Sequence, residues 1–148
     1  MNPDIPYLHR LDQYQTWQRE TIRRHGWALQ AVLGDEEGPP FLYTVGLTGF
    51  AHPELIVFAV GQATAARLLN RLGEYVRIGG RLGPGDTVGL PDGVVSILEF
   101  PDPEPWLLGA DRVYRVPGGP PVEALLVVPE EGYAETPGVD EGCRICDG

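Results

Sequence analysis

Four side chains able to do chemistry fall between positions 43 and 54: Tyr43, Thr44, His52 and Glu54. A phenol, a hydroxyl, an imidazole and a carboxylate this close in sequence could form a proton-transfer pocket. His52 would be the general base and Glu54 its orienting carboxylate, with Tyr43 and Thr44 binding a ligand. The same residue types have common structural duties. A His-Pro step shapes a loop with its imidazole bonded to backbone, and a strand tyrosine packs its ring and satisfies its hydroxyl nearby. If the chemical reading holds, Tyr43 and His52 should share one rim, within reach of a common ligand.

His25 is a further candidate, placed before Gly26 at the end of a helical pattern. There it could face the same pocket as His52, or simply complement the negative end of a helix. A metal held by both histidines would need a third ligand from Glu54, Asp35 or the C-terminus, and the spacing does not demand one. Asn70 is a candidate ligand-binding residue. Cys143 and Cys146, followed by Asp147, have the spacing of a chelating or redox pair. They supply two of the four ligands of a structural zinc site, so zinc is a conceivable cofactor and an unligated thiol pair the plainer expectation.

These groups must be positioned by recognisable elements. Apolar residues at three- and four-residue steps predict helices over 7–24 and 63–78, the second lined by Ala65, Leu68, Leu69, Leu72 and Val76. A third helix is expected over 106–115, with Leu107, Ala110 and Tyr114 on one face. Strands are predicted over 27–33, 41–47, 54–60, 87–90, 94–100 and 122–128. The first two suggest an antiparallel hairpin. The Gly- and Pro-rich stretch 79–93 lacks the ending of a phosphate loop and follows a helix, so it reads as a rim over a groove. The expected core is Leu55, Val57, Leu68, Leu69, Leu72, Val95, Ile97 and Leu126.

The order of elements predicts one α+β domain over 1–129, with a mostly antiparallel sheet packed by two or three helices, followed by an acidic, mobile tail over 130–148. His25-Gly26-Trp27, Phe41 to Leu47, Pro53-Glu54-Leu55 and Leu68-Leu69-Asn70 occur in that order, and together resemble the signature of the bacterial family called domain of unknown function 4262. That resemblance implies no reaction. Tyr43-Thr44-Val45-Gly46-Leu47 followed by Pro53-Glu54-Leu55 is also similar to suppressor-of-fused-like domains, which bind partners and recur among bacterial immunity proteins.

Composition narrows the function classes. The chain has 148 residues, 21 acidic side chains and 11 arginines with no lysine, for a net charge of −10. Such a chain repels phosphate backbones, so nucleic acid is not an expected partner. Arg10, Arg19, Arg23 and Arg24 have the spacing of a solvated helix face. No apolar stretch is long enough to cross a membrane, and the first ten residues lack the apolar segment of a secretory signal. The expectation is a small cytoplasmic binding or regulatory module for a protein or small ligand. The alternative is a small enzyme, thiol- or metal-dependent, using the His, Tyr and Glu groups.

Overall fold

Alternation along the strand sequences sorts side chains onto two faces of a single sheet. The computed structural model describes residues 16–34, 36, 38–58, 60–103 and 106–134. Its six strands are β1 (Ala28–Val32), β2 (Phe41–Val45), β3 (Glu54–Phe58), β4 (Thr87–Leu90), β5 (Gly93–Glu99) and β6 (Ala124–Pro129). They lie in the order β1-β2-β3-β6-β5-β4. Every pairing is antiparallel except β3 with β6, which is parallel with Leu55 beside Leu125. The protein is therefore a single α+β domain with a mixed, mostly antiparallel sheet.

Leu42, Leu55, Val57, Val95, Ile97, Leu125 and Val127 point to one face, which helix α2 (Gln62–Arg77) covers with Leu68, Leu69, Leu72 and Val76. Tyr43, Val45, Ile56 and Ala124 point to the other, beneath Ala110 of the short helix α3 (Leu108–Tyr114) and Leu107 just before it. Helix α1, described over 16–25, adds Ile22 to that second cluster. Seven of the eight expected core residues are buried at 1% exposure or less; Leu126 is only partly buried, because strand parity turns it to the second face.

Helix α3 is too short to cover the whole second face. Val94, Leu98 and Val128 stay exposed on β5 and β6. Phe41, Phe58, Phe100 and Trp106 cluster on the second face, with the Trp106 ring edge-on to Phe58 at 5.3 Å.

Two expectations shift. Gly46 and Leu47, expected at the end of the second strand, instead lead into a 3-10 turn, Leu47–Phe50. Residues 130–134, expected in the tail, still pack: the Glu130 amide donates to Val94 O at 2.8 Å, and that of Ala134 to Asp92 O at 2.9 Å. Positions 1–15, which include residues 7–15 of the predicted first helix, Asp35, and the rest of the tail with Cys143 and Cys146 lie outside the described residues.

Candidate functional site

Strand β2 ends at Val45 because Gly46 turns the chain with φ 143°. A Cβ at Gly46 would stand 2.4 Å from the Gly26 carbonyl oxygen and 2.5 Å from Trp27 Cα, so only glycine fits where the two strands meet. The 3-10 turn then closes on Ala51, itself left-handed at φ 58°.

Glu54, at the start of β3, reaches back and holds this turn. Its carboxylate accepts the Thr44 hydroxyl at 2.7 Å and the amides of Gly46, Leu47 and Thr48 at 3.1, 3.1 and 2.9 Å. The Thr48 hydroxyl adds a fifth bond at 2.6 Å. Thr44 Oγ1 also accepts the Leu55 amide at 2.9 Å. Glu54 and Thr44 are both 0% exposed. Burial pushes the Glu54 carboxyl above its ordinary range; the bonds from Thr48, Thr44 and Gly46 pull the other way without cancelling it.

His52 is held as firmly. Its Nε2 lies 2.9 Å from the Leu82 amide nitrogen and its Nδ1 2.8 Å from the Pro53 carbonyl oxygen. A backbone amide only donates, so Nε2 must be the bare nitrogen, and Nδ1 must carry the proton and donate it to Pro53. Arg81 donates to the carbonyls of Phe50 and Ala51 at 2.9 and 3.0 Å. The Gly-rich stretch expected to overhang a groove is thus stitched to the turn at Arg81 and Leu82.

Tyr43 is 2% exposed, and its hydroxyl accepts the Gly109 amide at 2.8 Å. Gly109 sits in the first turn of α3, where backbone amides have no partner within the helix, so Tyr43 caps α3 from the sheet. The expectation that Tyr43 and His52 share a rim with a common ligand does not hold. Parity turns Tyr43 under α3, and His52 is only 4% exposed with both ring nitrogens engaged. Thr44, expected to bind a ligand, is sealed against Glu54 instead, since a buried carboxylate must be surrounded by donors.

Two cavities flank the Glu54-held turn. The first, about 600 Å³, lies between the turn and the end of α3. Thr48 and His52 form one wall, Pro103, Pro120 and Pro121 supply rigid apolar surface, and Tyr114, Arg115 and Glu123 bring polar groups. Burial and the Glu54 charge push the Tyr114 phenol above its ordinary range, which keeps it a neutral O–H donor. The second, about 710 Å³, lies between the ends of α1 and α2 and is lined by Arg23, Arg24, His25, Trp27, Phe50, Asn70 and Arg77 among others.

His25 and His52 therefore line different cavities, against the expectation of one pocket. Asn70 reaches the second cavity, with its Oδ1 accepting the Trp27 indole N–H at 3.0 Å. Among the described residues, no group of three or more His, Cys, Asp and Glu side chains is placed to hold a metal ion. Likewise, no described helix is long and apolar enough to cross a membrane. Tyr114, Arg115 and Glu123 were not singled out from the sequence as site residues. Their only signal was the expected helix face with Tyr114 on it.

The geometry defines a small α+β domain whose chemical groups brace one turn between two cavities. The family model for a domain of unknown function, DUF4262, matches residues 21–137, and the chain belongs to that family. The match takes in the two motifs that meet in the second cavity, His25-Gly26-Trp27 and Leu68-Leu69-Asn70. No curated protein and no solved structure matches the chain.

Proposed function

We propose that this protein is a binding module that takes a small ligand in the cavity between the 3-10 turn and α3. One observation carries the reading. Tyr43, Thr44, His52 and Glu54 spend their hydrogen bonds on the protein's own backbone and on one another, while an open cavity remains beside them. Its volume is in the range of small-molecule sites, and so is its make-up: rigid apolar walls with a few converging polar groups. Proline and valine walls suit a flat or aliphatic body. The neutral Tyr114 hydroxyl suits a hydrogen-bond acceptor such as an amide carbonyl. The same internal bonding takes support from the enzyme alternative, because a general base must be free to reach a substrate proton.

Benzamide, an apolar ring with one carbonyl acceptor, is a suitable probe, and acetamide its control. Titrated into the ¹⁵N-labelled protein, benzamide should shift the amides of Thr48, Ala51, His52 and Val122 with low-millimolar or tighter affinity, as expected for so small a ligand. Acetamide should shift them far less. Tyr114→Phe should weaken binding and Val116→Trp, which adds a large side chain to the cavity's lining, should remove it. Saturating shifts that survive Val116→Trp, or none at these positions, would sink the proposal.

A protein partner is the second reading, favoured by the apolar strip of Val94, Leu98 and Val128 that α3 leaves exposed. A partner lost on Leu98→Glu but retained by Val116→Trp would decide for it.

A further inference from the structure

We propose that the second cavity, between the ends of α1 and α2, is a separate binding site for a small oxyanion, a carboxylate or a phosphate monoester. The cavity is about 710 Å³ and concentrates positive charge in a chain that is otherwise strongly acidic. Arg23 and Arg24 come from the last turn of α1, and Arg77 from the last turn of α2. Among the described residues, Glu74 is the one acidic residue in the lining.

The charges do not cancel. Arg77 grips Glu74 through two bonds, Nε to Oε2 at 2.9 Å and Nη2 to Oε1. That grip holds the Glu74 carboxyl below its ordinary range, so Glu74 stays an anion satisfied by its own partner. Arg24 meets Glu20 only at 3.9 Å, with both side chains more than half exposed, a geometry worth little. Arg23 makes no ion pair among the described residues. The two helix ends each carry about half a negative charge, which one guanidinium can offset. Among the described residues, three arginines against Glu74 and two helix ends leave a net positive charge.

The neutral groups favour the same ligand. The Trp27 indole N–H can only donate, so the Asn70 atom 3.0 Å away must be its oxygen. The indole thereby fixes the orientation of the amide, and the polar group Asn70 has left is its NH₂, a pair of donors. Guanidinium forks and an amide NH₂ are the groups that bind carboxylate and phosphate oxygens. Trp27 and Phe50 add apolar wall, which suits an oxyanion carried on an organic body.

This site does not depend on the first cavity, since no described residue lines both. The test is titration of the ¹⁵N-labelled full chain with inorganic phosphate, phenyl phosphate and acetate at constant ionic strength, with sodium chloride as the control. Saturable shifts of the Trp27 indole N–H and the Asn70 side-chain amide are expected. The tighter of phosphate and acetate identifies the preferred oxyanion, and a further gain with phenyl phosphate places an organic body on the wall.

Replacing the two exposed arginines together, Arg23→Gln with Arg24→Gln, should weaken binding at least tenfold. Arg19→Gln, on α1 but outside the cavity, should not. Asn70→Asp keeps an acceptor for the indole while adding negative charge, and should also weaken binding at least tenfold. If that variant proves unstable, the exposed arginine pair decides alone. Shifts that chloride reproduces, or an equal loss in Arg19→Gln, would reduce the effect to general charge screening and overturn the proposal.

Discussion

The Nε2 of His52 accepts the backbone N–H of Leu82 across thirty positions of sequence, at 2.9 Å. Through this bond the segment after α2 is fastened to the turn that α2 itself packs against.

His52→Ala should leave the Leu82 amide buried without an acceptor, at a cost of about 1–3 kcal/mol. The tautomer is testable without mutation. Long-range ¹H–¹⁵N spectra at neutral pH should show Nε2 as an unprotonated imidazole nitrogen and Nδ1 as protonated. A protonated Nε2 would contradict the bond to Leu82.

Glu54 should make stability depend on pH. Its carboxyl is raised above the ordinary value of 4.5, so the native state holds the proton more tightly than the unfolded chain. The stability this contributes is full below that value and is lost as pH rises through the raised native pKa. Glu54→Gln should be less stable throughout, by about 1–3 kcal/mol, because its NH₂ would face a ring of donors. Its deficit relative to wild type should shrink as pH rises, since only wild type loses this term. Urea denaturation of both proteins from pH 4.5 to 8 checks this, and a deficit that widens with pH would refute the raised carboxyl.

Gly73→Ala should destabilise the protein even though alanine is the better helix former by about 1 kcal/mol. A Cβ at position 73 would stand 2.7 Å from the Trp27 ring, which is 6% exposed and hemmed in by the core. Overpacking of this kind costs about 1–3 kcal/mol. In a Trp27→Leu background the clash is gone, and Gly73→Ala should become neutral or stabilising. A double-mutant cycle by thermal denaturation reads the coupling directly.

The amino-acid sequence by itself determined the elements. Periodicity placed α2 within one residue at each end and marked Leu68, Leu69 and Leu72 as its buried stripe, because a long amphipathic helix has only one way to hide such a stripe. Two-residue alternation put Trp27, Leu29 and Ala31 on one side of β1, where they pack. Local pattern was sufficient there because burial of a strand or helix face is decided by neighbours a few residues away.

The roles of the polar residues were not local, and only the tertiary structure decided them. Tyr43 became the cap of a helix that starts sixty-five positions later, as a buried hydroxyl must find a partner and the orphan amides of α3 lay above it. Glu54 became an anchor because strand parity turned its carboxylate toward the Thr44 hydroxyl of β2 and the three amides and one hydroxyl of a turn the sequence read as strand and loop. Arg23, Arg24, Asn70 and Arg77 gained a shared cavity only once α1 and α2 ended side by side. Sequence shows which groups are available. Which are consumed in folding and which stay open to a ligand depends on contacts between residues far apart in the chain, and those exist only after the sheet has closed.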